Sequence, residues 1–438
     1  MQKYGIQFIV YNSMKVSASF DNSSSQHTAL LTVFLAVLID LMGFGIILPL
    51  LPFYASVFKA SAIQIGLLYS TYSFAQLIFS PIWGGLSDKY GRRPIMLIST
   101  FGASLAYLLF GLAHTLWLLF LSRLIAGIMG GNISTAQAYV ADVTTHDNRA
   151  KGMGLIGAAF GIGFVIGPAV GALLIHPKFL ELFHILQKNE FALPGFFASL
   201  LSISSFLLVF FKLPETVKKQ EEDNERVARA SVFSKTFWQS IMDEKNASRS
   251  GFFPMLILSM FLFSFAQSSL YSSFPLFCKQ YLNLSAGHVG MLFVYLGIIA
   301  VVIQGGLIKI LTKKFGEVRL FLVGSIMMAL GLALIPFATS EKLLMLFLGL
   351  MSVGGSLNGP TLNSLISKEA EPNKIGATMG TSQGIASLGR VIGPTWGGFA
   401  YDLWFRLPFL TTAAFLSITI AVGLKLKRHL QKSIFLTK

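Results

Sequence analysis

The feature that most constrains this chain is the recurrence of apolar runs long enough to cross a bilayer. A helix needs roughly 20 apolar residues to traverse the ~30 Å hydrocarbon core. Such runs follow one another along almost the whole sequence, at residues 28–54, 63–83, 94–113, 116–141, 151–175, 191–211, 252–277, 288–311, 318–338, 343–366, 375–401 and 407–426. Only 12% of the 438 residues are charged, while 54% are hydrophobic. Soluble domains carry about 25% charged residues, and a water-facing globule of this composition would expose aggregating apolar patches. The sequence therefore predicts an all-α integral membrane protein with twelve transmembrane helices. Glycines and prolines within the runs fit this, because neighbouring helices satisfy freed backbone groups.

Lys and Arg fix the expected orientation. With both termini in the cytoplasm, inner segments hold 26 of the 34 basic residues and outer loops hold six (Lys59, Lys178, Lys188, Lys279, Lys342 and Arg406). Arg123 and Arg390 fall inside predicted helices. This bias predicts cytoplasmic termini, an even span count and a multi-pass place in a bacterial cell membrane. It also turns the net charge of +15 into a record of topology, with no nucleic-acid partner needed. Residues 1–27 read as a cytoplasmic tail without the order of a cleaved signal, and Met14 is an alternative start. Residues 28–211 and 251–426 form two halves, joined by a cytoplasmic linker at 212–250 and followed by a tail at 427–438. Within the linker, Phe233, Phe237, Trp238 and Ile241 recur at helical spacing, which fits either a surface helix or a plain connector. A single Cys leaves no disulfide framework or Cys-based zinc site, and no metal site is expected.

The two halves repeat. Gly163-Phe-Val-Ile-Gly167-Pro168-Ala-Val-Gly171 matches Gly389-Arg-Val-Ile-Gly393-Pro394-Thr-Trp-Gly397 at an offset of 226. Pro49 pairs with Pro275 at that offset, Gly91 with Gly316 at 225, and Gly66 with Gly290 at 224. Six spans plus six in the same orientation describe two parallel repeats, an arrangement of secondary transporters. Asp40 and Arg123 face Ala266 and Phe347 in the other copy, while Arg390 stands opposite Phe164. None of these charges is demanded by the shared scaffold.

The loop after the second span reads Gly84-Gly85-Leu86-Ser87-Asp88-Lys89-Tyr90-Gly91-Arg92-Arg93-Pro94. It is a tight turn in which glycines allow close approach or positive φ and Asp88 can answer Arg92 or a helix N-terminus. This segment resembles the helix-two loop of the major facilitator superfamily from Gly84 to Arg93. Asp40 to Pro52 is similar to the first helix of its twelve-helix drug/proton antiporters. Arg123-Leu-Ile-Ala-Gly127-Ile-Met-Gly130-Gly131 resembles their helix-four arginine motif, extended by Tyr139-Val-Ala-Asp142. Gly157 to Gly171 looks like their helix-five antiporter motif, and Leu213-Pro214-Glu215-Thr216 resembles the tetracycline-exporter branch. The resemblance implies the major facilitator fold and a conformational-switch role for Gly84, Asp88, Gly91, Arg92, Arg93 and Asp142. It further implies an interface role for Gly163, Gly167, Pro168, Gly171, Gly389, Gly393 and Pro394. Departures stand beside it. Ala106 precedes Tyr107 where tetracycline exporters keep a carboxylate, the ninth span has no acid, and the second copy of the loop has Lys309 and Lys313 in place of Gly and Asp.

Asp40 and Arg123 are expected at similar depth in the membrane, ~18 Å from one face and ~10 Å from the other. Buried charges of this kind pair or mark proton routes, so the two are read as proton-coupling residues, with a permanent ion pair locking helices one and four as the structural alternative. Glycine-rich span five is expected to seal against a helix of the other half. Phe44, Gln76, Gln137, Tyr139, Gln267, Tyr271, Asn358 and Arg390 are candidates for the substrate cavity. Arg390 either contacts an anionic substrate or bonds Gln76 or a carbonyl. The expected function is that of a monomeric proton-coupled antiporter exporting small amphiphilic compounds by alternating access, with the proton gradient as energy source and no cofactor. The alternative is an uptake carrier, or an exporter of a native metabolite, siderophore or organic anion. No phosphate loop, His-Glu-x-x-His or nucleophile elbow sits in a suitable setting, so an enzyme is not expected.

Overall fold

The structure is a computed structural model and describes residues 23–144, 148–181, 189–216, 251–370 and 375–436. The N-terminal tail to residue 22 and most of the linker, with the amphipathic stretch around Trp238, lie outside the described residues. Twelve long helices follow the predicted runs: α1 (Ser23–Ile47), α2 (Ala62–Tyr90), α3 (Arg92–Gly111), α4 (Leu116–Met129, resumed at Asn132–Val143), α5 (Arg149–Leu174) and α6 (Ala192–Lys212). The second half holds α7 (Phe253–Tyr281), α8 (Ala286–Val302, continuing to Phe315 through a π-turn at Ile303–Leu307), α9 (Glu317–Leu334), α10 (Glu341–Glu369), α11 (Ile375–Leu403) and α12 (Leu407–Leu436). The last helix thus runs through residues read as a tail.

Eleven of the described helices are long and apolar enough to span a membrane. The exception is α11, rich in Gly, Ser and Thr. It needs less apolar surface because it is wedged between α7 of its own half and α2 of the other. With an even number of spans, both described chain ends lie at one end of the bundle, here the tail end; the opposite end is the far end.

Small residues decide how closely the helices approach. Gly163, Gly167 and Gly171 form one stripe on α5, and an added Cβ would lie 2.7 Å from Leu41 Cβ, 2.8 Å from Gly45 Cα and 2.8 Å from the Ile46 carbonyl oxygen. The stripe therefore packs on α1 of its own half. Gly389 and Gly393 do the same on α7, against Phe265 and Ser268. Spans five and eleven do pack against the other half as expected, through Pro168 and Pro394, but Gly163, Gly167, Gly171, Gly389 and Gly393 face their own half, which corrects the interface role expected of these five glycines.

The seal lies on the opposite faces. A Cβ on Gly66 of α2 would sit 2.2 Å from the Pro394 oxygen of α11, and one on Gly290 of α8 would sit 3.2 Å from the Pro168 oxygen of α5. The repeat-related glycines thus meet the repeat-related prolines, once at each seam. Around the first seam, Gly398 closes on the Ala62 carbonyl, Ser70 donates to the Val391 carbonyl and Thr395 donates to Ser70. Asp402, at the far end of α11, accepts from the backbone N–H groups of Ala62 (3.0 Å) and Ile63 (2.9 Å). These are first-turn donors of α2 that have no intrahelical acceptor, and the helix's own Ser61–Gln64 capping box completes the set.

Both seams part towards the tail end. On the α5–α8 seam, Gly290 meets Ala172, Gly297 meets Val165 and Gly161 meets Val301, but Gly154, Gly157, Gly305 and Gly306 meet nothing within 4 Å. On the α2–α11 seam, Gly85 and Gly380 are equally open. Along both seams the halves are in contact towards the far end and parted towards the tail end, and the space that this parting leaves between them is here called the vestibule.

Charge-assisted hydrogen bonds contribute about 1.5–3 kcal/mol each. Asp402→Ala should therefore lengthen the distance between spin labels at Val57 and Leu403 in a measurable fraction of molecules. An unchanged distance distribution would mean that packing alone holds the far end shut.

Candidate functional site

The vestibule narrows where α2 of one half meets α7 and α11 of the other, with α1 and α4 packed behind α2 and α5. Asp40 on α1 is partly buried and faces the Asn132 side chain, whose amide atoms are buried without a completed hydrogen bond. Arg123 on α4 is 3% exposed. Its guanidinium lies 5.1 Å from the Phe110 ring centre and 5.9 Å from that of Tyr107, and Nε donates to Ser122 at 3.4 Å. No ion pair joins Asp40 and Arg123, so the permanent pair locking helices one and four is not formed. Tyr72 and Tyr107 instead lie within electrostatic reach of both charges. Gly43, one turn beyond Asp40, admits Tyr107 to this site, since a Cβ there would lie 3.2 Å from its hydroxyl.

Aromatic rings roof the cavity. Phe44 packs on Tyr72 (5.2 Å) and Phe164 (5.9 Å), while Tyr69 of α2 meets Tyr271 of α7 across the halves at 6.2 Å. Arg390 of α11 sits at the inner end of the α2–α11 seam, where Nη2 donates to Ser387 at 2.6 Å, with Tyr72 and Tyr271 nearby. The Arg390–Gln76 bond is not formed.

Of the other cavity candidates, Gln137 and Gln267 are exposed. An unsatisfied amide at mid-helix is costly against lipid, which places Gln267 towards the vestibule. Three candidates are spent elsewhere. Gln76 donates to the Gly130 carbonyl at 3.2 Å, and with Trp83, which donates to the Ile128 carbonyl, it satisfies backbone groups freed by the break in α4. Tyr139 is fully buried and donates to the Pro214 carbonyl at 3.0 Å. Asn358 is 1% exposed and is held between α9 and α10, beside Gly324 and Ser325.

At the tail end, the loop between α2 and α3 is a network. Arg92 pairs with Asp88, donates to Asp142 Oδ2 at 2.9 Å and bonds Ser87 at 2.7 Å. Gly91 has φ of 107°, and a Cβ there would collide with the Glu215 carboxylate at 2.4 Å. That carboxylate accepts from the backbone N–H of Arg92 (2.9 Å) and Arg93 (3.1 Å). Glu215 thus caps α3 from beyond α6, a role not assigned to it from sequence. The signal was present in the Leu213–Thr216 resemblance and in an acid directly following an apolar span.

The second half rebuilds this site with inverted charge. Gly316, with φ of 77°, precedes Glu317 at the start of α9, and Glu317 pairs with Lys368 near the end of α10. Glu317 lies 225 residues after Arg92, and Lys368 lies 226 after Asp142. The repeat retained an ion pair at this corner and exchanged its ends.

The family description Major Facilitator Superfamily matches residues 33–313 and, a second time, 258–434. The chain belongs to the major facilitator superfamily. It is 29% identical over 412 residues to the class B tetracycline resistance protein of Escherichia coli, covering 92% of this chain and 96% of that protein. It is 28% identical over 403 residues to multidrug resistance protein 1 of Bacillus subtilis, covering 90% and 95%. The crystal structure of the human organic anion transporter MFSD10 (TETRAN) superposes with a TM-score of 0.66 at 26% identity, covering 91% of this chain and 99% of that one. This major facilitator protein is therefore a multi-pass membrane transporter of small molecules, with homology to tetracycline and multidrug efflux proteins.

Glu317→Lys should impair transport, and the double change Glu317→Lys/Lys368→Glu should restore part of it in a vesicle uptake assay. Failure of the double variant to exceed either single one would remove the ion pair from the working parts of the cycle.

Proposed function

We propose that the protein is a proton-coupled antiporter that exports small amphiphilic compounds across the bacterial cell membrane. The observation that carries this reading is Asp40. It is a carboxylate deep in α1, without an ionic partner among the described residues, beside an under-satisfied Asn132 and facing an aromatic-walled vestibule. Intramembrane acids so placed mark proton routes. The relatives named for tetracycline and multidrug resistance support efflux, and the bias of basic residues supports cytoplasmic termini. With that orientation the vestibule faces the cytoplasm and the closed far end faces outside.

A proton and a substrate then compete for one site. Substrate enters from the cytoplasm and displaces the Asp40 proton, the halves rock, and both seams open at the far end. There a proton from outside takes the substrate's place. Arg123 shares Tyr72 and Tyr107 with Asp40 as neighbours and forms no ion pair with it. The proton gradient is the energy source, no cofactor is required, and one chain contains the complete path.

The test is ethidium accumulation in proteoliposomes with an acid lumen and the membrane potential clamped. Wild type should concentrate the dye while lumenal protons leave, and nigericin should abolish the effect. Asp40→Asn should abolish gradient-driven accumulation with the protein still folded. Accumulation that persists in that variant, or that ignores the pH gradient, would overturn the coupling role.

A further inference from the structure

The α2–α11 seam has an inner and an outer side. Tyr69 and Tyr72 mark the inner side of α2, where they meet Tyr271 and Phe44, and Arg390 marks the inner side of α11. About half a turn away on each helix, at 3.6 residues per turn, a groove of about 580 Å³ runs along the seam. That volume lies within the ~300–1,000 Å³ range of ligand pockets. With the vestibule on the inner side, the groove faces the membrane.

Its walls belong to opposite halves. Ile63, Leu67 and Phe74 of α2 form one, and Ile392, Trp396 and Phe399 of α11 form the other. The polar groups beside them are largely spent on the protein itself. Ser70 donates to the Val391 carbonyl, Thr395 donates to Ser70, and the Trp396 indole N–H donates to Thr411 of α12 at 3.1 Å. Thr71 supplies the remaining hydroxyl, and no charged side chain lines the groove. A polar ligand would lose its hydration here without recovering its hydrogen bonds.

Length and position identify the guest. Ile63 lies in the first turn of α2, at the far end, and Phe74 lies 11 residues on, a rise of ~16 Å. One leaflet of a ~30 Å hydrocarbon core is ~15 Å thick. The groove is also continuous with the far-end contacts between the halves, where Gly66 meets Pro394 and Gly398 meets Ala62. It therefore starts at the membrane surface, stops near the midplane, and crosses the seam throughout.

We propose that this groove seats one acyl chain of a phospholipid in the far-end leaflet, and that the seated chain favours the conformation with the far end closed. When α2 and α11 part at the far end, the two walls separate. A chain that touches both walls binds the closed state better, and that difference in affinity shifts the equilibrium towards it. The proposal goes beyond the exporter reading and depends on neither proton coupling nor the direction of transport.

The occupant is tested with the full chain in nanodiscs of diphytanoyl phosphatidylcholine, whose methyl-branched chains are broader than the groove's straight guest. A straight-chain phosphatidylcholine with a mid-chain diazirine is added in trace amount and photolysed, and labelled residues are read by mass spectrometry. Leu105 of α3 and Leu330 of α9, both exposed and a few residues from the far ends of their helices, report ordinary lipid contact. A few additional carbon contacts suffice for labelling of the groove residues about threefold above these two. Thr71→Phe, which fills the groove, should bring labelling down to their level. If that variant misfolds, Ile392→Phe fills the groove from the other wall at a side chain that is already exposed.

The consequence is tested by the distance between spin labels at Val57 and Leu403. Replacing diphytanoyl by straight-chain phosphatidylcholine should raise the ratio of far-end-closed to far-end-open molecules by up to about threefold, and either groove-filling variant should remove that dependence. The proposal is overturned if the groove labels no more than Leu105 and Leu330, or if labelling survives both filling variants. It is equally overturned if the distance distribution ignores chain type, or follows it unchanged with the groove filled. An unlabelled groove with cross-links between two copies through Phe74→Cys would assign the surface to a second copy of the chain and likewise overturn the proposal.

Discussion

The closest approaches between the halves of this transporter include two repeat-related backbone contacts, Gly66 against Pro394 and Gly290 against Pro168. Each places a main chain where any side chain would intrude, and each lies on the far-end portion of its seam. Because proteins pack at crystal-like density, such contacts are close to two-valued: either the surfaces meet or they separate. A vestibule open at the tail end follows from both being made. The opposite opening requires both to break and the bare glycines at the other ends of the same helices to find partners. Gly154, Gly157, Gly305 and Gly306 are already free of side chains that would obstruct such closure.

This division of labour also explains the glycine stripes on α5 and α11. A helix that rocks against the other half must be rigidly fixed to its own. Gly163, Gly167 and Gly171 fasten α5, whose other face forms the α5–α8 seam, to the helix that bears Asp40. Gly389 and Gly393 fasten α11 to α7 and bracket Arg390. Each charge in the cavity therefore sits on, or next to, a helix whose other face is a seam. Chemistry at the charge and separation at the seam are mechanically adjacent, which is the physical requirement for coupling them.

Much of this was legible in the sequence, and its limits have physical causes. Run length and charge bias are bulk properties imposed by the bilayer, so the helix count emerged even for α11, whose apolar content is marginal. The offsets of 224 to 226 revealed the duplication and paired Gly66 with Gly290 and Pro168 with Pro394. What they did not reveal was which face of α5 or α11 looks which way, because a glycine every four residues marks a close approach without naming the partner. The same ambiguity misplaced Tyr139 and Asn358. A buried polar side chain and a cavity-lining one have similar sequence surroundings, and only the position of an acceptor such as the Pro214 carbonyl separates them. Glu215 and Asp402 act on helix N-termini distant in sequence, and a cap supplied from elsewhere leaves no local spacing to read.

The inverted corner at Glu317 and Lys368 shows what selection on such a fold can and cannot see. Arg92 and Asp142 sit in a network shared with Ser87, Asp88 and Glu215, where exchanging the ends would set an acid beside the Glu215 carboxylate. Glu317 lies at the N-terminus of α9, where the helix dipole favours an acid, and Lys368 lies near the C-terminal end of α10, where a cation is favoured. In the first half the polarity is opposed by the dipoles, with Arg92 at a helix start and Asp142 at a helix end, and Glu215 supplies the negative charge that the start of α3 still requires. The two corners therefore meet one electrostatic demand by different means. The extra acid of the first half is a consequence of the orientation of its ion pair.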